Sequence, residues 1–195
     1  MKFSRVFGLL LFGLLLTVAG CSQGIKGAKN WPVEDFTFIN QEGESFGLKD
    51  LKGKVWVANF IFTNCETVCL PMTANMVQLQ NLLKEENITG VELVSFSVDP
   101  EVDTPDALKK FGEHFSADFD NYNFLTGYDQ EFIEEFAREN FKELVDKPEN
   151  DDQVIHGTRF YLMDQEGRIV KYYSGLSDIP FEEIIDDIKK LQNQK

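Results

Sequence analysis

Positive charge is scarce in this sequence. Nineteen lysine and arginine residues stand against 33 aspartate and glutamate residues, which gives a formal net charge of −14 at pH 7. Proteins that bind nucleic acids neutralise phosphate groups with lysine and arginine, so this balance argues against a nucleic-acid partner. An acidic surface mainly keeps a protein soluble and away from anionic lipid. The sequence also lacks internal repeats and low-complexity segments, which is typical of a single folded domain.

Long hydrophobic runs are lacking too, except near the N-terminus. Residues 6–18 form an uncharged run dominated by Leu, Phe and Gly, which follows Lys2 and Arg5 and is short for a bilayer span. A basic segment followed by such a run is typical of a secretory signal peptide. The run ends in residues 18–21 (VAGC), which resemble the lipobox of bacterial lipoproteins, where cleavage precedes a lipidated cysteine.

This motif predicts how the chain is organised. We expect a lipoprotein signal peptide over 1–20, a lipidated Cys21 with a flexible tether over 21–30, and the folded domain over 31–195. The protein is then anchored by lipid at the extracytoplasmic face of the cell membrane. The alternatives are an ordinary cleaved signal with a chance cysteine, or an uncleaved anchor helix. Small residues before Cys21 and a polar stretch after it favour lipidation.

Cysteine is rare as well, with three residues in the whole chain. If Cys21 carries lipid, Cys65 and Cys69 are the only thiols of a domain exported to an oxidising compartment. A disulfide across so short a loop adds little stability, because closing few residues removes little entropy from the unfolded chain. The pair is therefore expected to serve chemistry rather than stability.

The pattern of apolar residues alternates strands with helices. Two nearly continuous apolar runs, 55–62 and 91–98, predict strands buried on both faces of a parallel sheet. The other predicted strands cover 36–39, 45–48, 124–127, 160–163 and 169–173, and the predicted helices cover about 72–83, 104–115, 129–137 and 180–192. This order predicts an α/β, thioredoxin-like fold with an N-terminal β-hairpin extension and an inserted helix.

Cys65 and Cys69 directly follow the first buried strand and precede a helix. Pro71 belongs in the first turn of that helix, so both thiols are predicted at its N-terminus, where backbone N–H groups lower thiol pKa values. Their C-x-x-x-C spacing is one residue longer than a thioredoxin C-x-x-C pair. Four positions in a helical turn place the Cα atoms about 6 Å apart, within the disulfide range. The spacing therefore allows either a disulfide or two sulfur ligands on one metal, and thiolates suit copper(I).

Histidine is the scarcest of these residue types, with two in the chain. His114 lies in a predicted helix beside Phe115 and is interpreted as an ordinary helix-end or surface residue. His156 lies just before the predicted strand 160–163, in the loop that faces the Cys-bearing helix in a thioredoxin-like plan. Imidazole suits copper in either oxidation state, so His156 is the candidate third ligand.

Five further residues lie near the cysteines or the next strand end. Met72 and Met76 carry soft thioethers, but their helical spacing indicates core packing. Asp99 and Asp103 follow the second buried strand and could contact the site or a partner, although helix capping is the role predicted for Asp103, with Thr104 as the alternative cap. Glu66, between the two thiols, is expected to be exposed.

Three segments together carry a family resemblance. They are 62–72 (FTNCETVCLPM), 95–105 (SFSVDPEVDTP) and 154–158 (VIHGT). In this order and spacing they resemble the SCO family, named for synthesis of cytochrome c oxidase, over essentially the whole domain. The resemblance implies copper binding by Cys65, Cys69 and His156, and a role in building the dinuclear CuA centre of cytochrome c oxidase subunit II. Leu70 departs from the family pattern, since many relatives have proline directly after the second cysteine.

Three functions fit these residues. A copper-binding assembly factor, or metallochaperone, would carry copper to subunit II. A thiol-disulfide oxidoreductase would instead use Cys65 and Cys69 to reduce the CuA cysteines, and a peroxiredoxin-like peroxidase would use one of them as its peroxidatic thiol. The peroxidase needs an activating arginine, and none lies between Arg5 and Arg138. The longer cysteine spacing and His156 favour the metal, so we expect a monomeric copper-binding protein rather than an enzyme.

Overall fold

The computed structural model describes residues 24–149 and 151–194. Within these ranges the strands are β1 (Trp31–Pro32), β2 (Thr37–Asn40), β3 (Ser45–Gly47), β4 (Val55–Ile61), β5 (Val91–Ser97), β6 (Tyr122–Thr126), β7 (Val145–Asp146), β8 (Ile155–His156), β9 (Arg159–Met163) and β10 (Arg168–Ser174). The helices are α1 (Leu48–Leu51), α2 (Cys69–Glu85), α3 (Pro105–His114), α4 (Gln130–Phe136) and α5 (Phe181–Gln192), and a π-helical turn covers Ala137–Phe141. The predicted signal peptide and Cys21 lie outside the described residues. None of the helices in these ranges is long and apolar enough to cross a membrane.

Eight strands form one mixed sheet, in the order β1-β10-β9-β4-β5-β6-β2-β3. Its centre is the parallel pair β4–β5, which runs in register from Val55 opposite Val91 to Ile61 opposite Ser97. Every residue of both strands is buried, as their continuous apolar runs predict. The β9–β10 hairpin lies antiparallel beside β4, so the order β10-β9-β4-β5 reproduces the core of a thioredoxin-like fold.

The helix boundaries follow local sequence signals. The side chain of Thr104 caps α3 by accepting the backbone N–H of Ala107 at 3.2 Å, and Pro105 occupies the first helical position. Asp129 caps α4 in the same way through the N–H of Phe132 at 2.8 Å. Of the two caps that the sequence predicts, Thr104 is confirmed and Asp103 is wrong, because the hydroxyl of Thr104 accepts the N–H at the start of α3.

The chain between the π-helical turn and β9 is more structured than the sequence predicts. The sequence of the acidic segment 146–152 predicts a loop. In the structure Asp146 pairs with Ile155, and Val145 pairs with His156, in the two-stranded β7–β8 ribbon. His156 therefore lies in a short strand rather than in a loop. Two-residue strands carry no apolar periodicity, which is why this ribbon has no sign in the sequence.

The segment before β2 packs along the hairpin at the edge of the sheet. β1 pairs with β10 through Trp31 opposite Ile169. Upstream of β1, the backbone N–H of Lys29 donates to the carbonyl of Val170 at 2.9 Å, and the side chain of Ile25 is buried. Packing against the domain therefore extends into the segment for which the sequence predicts a tether.

Candidate metal centre

Cys65, Cys69 and His156 bring three potential ligand atoms together at the carboxyl end of β4. The two Sγ atoms and a ring nitrogen of His156 all lie within 4.8 Å of one another. The Sγ of Cys69 is 3.2 Å from Nε2 of His156. Both cysteines are buried free thiols, and the histidine is half-buried. The three residues that the sequence singles out are thus the ones that the fold assembles.

The helix start places the two sulfurs. Cys69 is the first residue of α2, Pro71 lies in its first turn as expected, and Cys65 lies in the loop between β4 and the helix. The backbone N–H of Cys69 donates to the Sγ of Cys65 at 3.3 Å. One sulfur therefore accepts a hydrogen bond from a free N–H of the helix N-terminus, and the other belongs to the helix itself.

The contact between the two thiols shifts their pKa values in opposite directions. A hydrogen bond from the Cys69 side chain holds the pKa of Cys65 well below its usual value, against the opposing effect of burial and with further help from the backbone N–H groups of Thr67 and Cys69. The same contact with Cys65, together with burial, raises the pKa of Cys69. These shifts favour a thiolate at Cys65 over one at Cys69, and a metal that binds both sulfurs must displace the proton that remains.

His156 presents the correct nitrogen to the sulfurs. Its Nδ1 lies 2.9 Å from the carbonyl oxygen of Gly157, and because a carbonyl only accepts, Nδ1 carries the proton of the neutral ring. Nε2 then has a free lone pair directed at Cys69. Metal-binding histidines commonly have their second nitrogen fixed in this way, which sets the tautomer and the ring orientation. The ring of Phe62 packs edge-on against the imidazole, with the centroids 5.8 Å apart.

Gln153 connects the histidine segment to the cysteine loop, and sequence reasoning missed it. Its Nε2 donates to the carbonyl of Asn64 at 3.1 Å, and its Oε1 accepts the backbone N–H of Glu66 at 3.3 Å. The amide thus spans residues on both sides of Cys65. A single glutamine in an acidic segment has no distinctive spacing, so only the folded structure reveals this contact.

Asp103 supports the cysteine loop through hydrogen bonds to Thr63. Its buried carboxylate accepts hydrogen bonds from the hydroxyl of Ser97 at 2.6 Å and from the backbone N–H of Thr63 at 3.2 Å. Burial raises the pKa of Asp103, and these hydrogen bonds oppose the shift. The carboxylate of Asp99 pairs instead with the ammonium group of Lys147 at 2.7 Å. The two aspartates therefore hold the loops around the site rather than cap a helix.

The remaining candidates have the ordinary roles expected of them. Met72 and Met76 are fully buried core residues of α2. His114 is the exposed last residue of α3, and Glu66 is exposed between the two cysteines. The donor set that could hold a metal ion is therefore two sulfurs and one imidazole nitrogen, a combination suited to copper.

Comparison with known proteins decides the family. A model of the family described as SCO1/SenC matches residues 26–193. The chain belongs to the SCO1/SenC family. It is 52% identical over 186 residues to the SCO1 protein homolog of Bacillus subtilis (strain 168), covering 95% of each chain. The resemblance drawn from the three sequence segments is thus confirmed.

Solved structures of family members confirm the thioredoxin-like fold. A SCO1/SenC family lipoprotein from Bacillus anthracis str. Ames is 57% identical with a TM-score of 0.83, over 86% of this chain and 99% of that one. BsSco is 53% identical with a TM-score of 0.82, over 89% of this chain and 100% of that one; it has a disulfide switch and is a member of the Sco family of cytochrome c oxidase assembly proteins. ScoI from Arabidopsis thaliana with copper bound is 28% identical with a TM-score of 0.68, over 82% and 97% of the two chains. SCO1/SenC members thus include oxidase assembly proteins and copper-bound proteins.

Proposed function

We propose that this protein is a copper-binding assembly factor, or metallochaperone, for the CuA centre of cytochrome c oxidase subunit II, with Cys65, Cys69 and His156 as its copper ligands. The observation that carries the proposal is the Nε2 of His156 held 3.2 Å from the Sγ of Cys69, within a cluster of three potential ligand atoms. Two thiolates and one neutral imidazole fit copper(I), and the imidazole also fits copper(II). In this role copper is cargo that the protein holds and passes on.

This protein exposes an apolar surface next to the proposed ligands, where a partner could bind. Val145 and His156 point to the inner side of the β7–β8 ribbon, and its outer side carries Leu144 and Ile155, with 64% and 53% of their surface exposed, beside the exposed Asp146. Exposed apolar groups with a charged rim are typical of protein-binding surfaces. This surface supports docking of the oxidase subunit close to the copper site.

The second candidate function is thiol-disulfide exchange with the CuA cysteines. It is favoured by the low pKa of Cys65, because a thiolate attacks disulfides and a thiol does not. The two functions use the same sulfurs, but exchange gives no role to the lone pair of His156. The position of the imidazole is therefore the reason for placing copper first.

Copper binding is expected to require the reduced pair. The purified reduced protein should bind one copper ion in a titration followed by optical and EPR spectra. After oxidation to an intrachain Cys65–Cys69 disulfide, the affinity should fall by about a hundredfold or more, which is about 2.7 kcal/mol. The reason is that a disulfide removes both thiolates from the site. Copper binding of unchanged strength by the oxidised protein would show that the sulfurs are not ligands.

We also propose that Cys21 carries lipid and holds the domain at the extracytoplasmic face of the cell membrane, with residues 1–20 removed as the signal peptide and the copper-binding domain following from residue 31. The support is the sequence of residues 18–21 and the likeness to a Bacillus anthracis protein of the family that is a lipoprotein. Several acyl chains anchor a protein far more firmly than one.

The lipid anchor predicts a labelling result. Cells grown with labelled palmitate should incorporate the label into the wild-type protein, and Cys21→Ala should lose it and leave the membrane fraction. Cys65→Ser serves as the control, because it removes a different cysteine and should keep the label. An unlabelled wild-type protein would contradict the anchor without touching the copper proposal.

A further inference from the structure

Glu143 is a buried carboxylate close to the histidine that no part of the copper site uses directly. It lies between the π-helical turn and β7, and only 7% of its surface is exposed. Its Oε2 accepts the phenolic O–H of Tyr161, Oε1 accepts the backbone N–H of Leu144 at 3.2 Å, and Nη1 of Arg159 lies 3.8 Å from Oε2. Burying a carboxylate costs folding free energy, and these partners only offset that cost. A buried carboxylate at this position is therefore expected to have a specific role.

The carboxylate lies against Gly157, the residue after His156. A Cβ atom built on Gly157 would come within 2.2 Å of both Oε1 and Oε2 of Glu143. The carboxylate therefore fills the space in which any other residue at position 157 would place its side chain. Gly157 therefore has two contacts: its Cα side lies against the Glu143 carboxylate, and its carbonyl oxygen accepts the Nδ1–H of His156.

The ribbon that carries His156 is short, so it depends on contacts with neighbouring segments, among them those of Gln153 and Glu143. β7 and β8 pair through two residues each, and an isolated two-stranded ribbon is marginally stable in water even when it is longer. Arg159 and Tyr161, by contrast, lie in β9 in the central sheet. Glu143 is therefore a bridge between a rigid strand and the short ribbon, with Gly157 held against it.

We propose that Glu143 is a positioning residue for His156: by pressing on Gly157 while bound to Tyr161 and Arg159, it places the Gly157 carbonyl that holds the imidazole in its Nδ1–H tautomer. The proposal rests on the copper role given to His156 above. It goes further, because it assigns the orientation of that ligand to a carboxylate that contacts neither the sulfurs nor the ring nitrogens.

The first measurement needs no copper. Imidazole ¹⁵N chemical shifts of the reduced, metal-free protein should show the Nδ1–H tautomer in the wild type. Glu143→Ala and Gly157→Ala should each give a mixture of tautomers. Glu143→Ala removes the carboxylate that contacts Gly157, and Gly157→Ala places a methyl group in the space that the carboxylate occupies. Glu143→Gln keeps the shape and an acceptor for Tyr161, so it should remain like the wild type. An unchanged Nδ1–H tautomer in both alanine variants would overturn the proposal.

The second measurement uses copper and a double variant. Glu143→Ala and Gly157→Ala should each weaken copper binding by about tenfold and reduce the imidazole nitrogen signature in EPR, with an unchanged Cys65–Cys69 reduction potential. In the double variant the new methyl group occupies the space that the carboxylate has left, so the loss should be no larger than in either single variant. Losses that multiply to about a hundredfold would show two independent effects and overturn the coupling.

A matched control separates positioning from general stability. Asp187 in α5 is an equally buried carboxylate that accepts the O–H of Tyr173 at 2.9 Å and pairs with Lys171 at 2.8 Å, but it does not contact the His156 segment. Asp187→Ala should lower thermal stability and leave the tautomer and copper signature of His156 unchanged. If Asp187→Ala alters them as Glu143→Ala does, the effect of Glu143 is only structural. If the wild-type protein binds no copper while the two alanine variants still show the tautomer changes, the copper function is refuted and the positioning role stands.

Discussion

Replacing Cys65 by serine is expected to remove copper binding and disulfide formation together. The hydroxyl oxygen can still accept the backbone N–H of Cys69, so the start of α2 should form as before. A hydroxyl is a hard and essentially un-ionised ligand, however, and one thiolate with one imidazole is a weak site for copper(I). Affinity should fall by about a hundredfold or more, measured by competition with a copper(I) chelator, and oxidase activity should be lost in cells that contain only the variant.

Thr67→Ala is the appropriate control for this substitution. Thr67 lies in the same loop, is exposed, and its Oγ1 is 3.9 Å from the Sγ of Cys65, but it supplies no ligand. Its removal should leave copper affinity within about threefold of the wild type. Retention of tight copper binding by Cys65→Ser, with melting temperatures equal to the wild type, would refute the two-sulfur site.

Replacing His156 by alanine is expected to separate the metal function from the thiol function. The variant loses the imidazole ligand, so copper binding should weaken by about tenfold or more, which is about 1.4 kcal/mol. Oxidase assembly should fall in cells lacking the wild-type protein, and excess copper in the medium should partly restore it. The Cys65–Cys69 couple should remain largely intact, because both sulfurs and the helix N-terminus are still present.

His114→Ala is the matched control, since His114 is exposed at the end of α3 and has no part in the ligand cluster. Copper titrations and oxidase activity should be unchanged in that variant. The opposite result for His156→Ala is also informative. If it binds copper and supports the oxidase normally while Cys65→Ser fails, thiol-disulfide exchange becomes the better account of the protein.

The parts of the fold that follow from the sequence are those with strong local signals. The continuous apolar runs of β4 and β5 specify central strands, and the pattern from Phe181 to Gln192 specifies the last helix. Cys65 and Cys69 could be placed because a strand leads directly into a helix with Pro71 in its first turn. The thioredoxin-like plan then brings the chain before β9 over that helix start, which is how His156 could be selected over His114.

The parts that could not be predicted depend on contacts between distant segments. β1, β7 and β8 have two residues each, so no periodicity distinguishes them from loops. Gln153 and Glu143 act through hydrogen bonds to residues far away in sequence, and nothing in their immediate neighbours indicates a special role. The prediction for Asp103 fails because a cap is expected before Pro105, and the adjacent Thr104 has the hydroxyl that fits.

The packed N-terminal segment lies at the end of the sheet opposite the candidate copper ligands. Gly24 and Ile25 share a cleft with Asp164 and Arg168 at the β9–β10 turn, and Met163, just before that turn, pairs with Trp56 near the beginning of β4. Cys65 follows the other end of β4, and seven strand residues extend roughly 20 Å. If the domain is attached through the residues before Gly24, the β9–β10 turn therefore lies toward the point of attachment and Cys65 lies at the opposite end of the sheet. A lipid anchor at Cys21 would thus turn the sulfurs outward, toward a recipient that extends above the membrane surface rather than one buried within it.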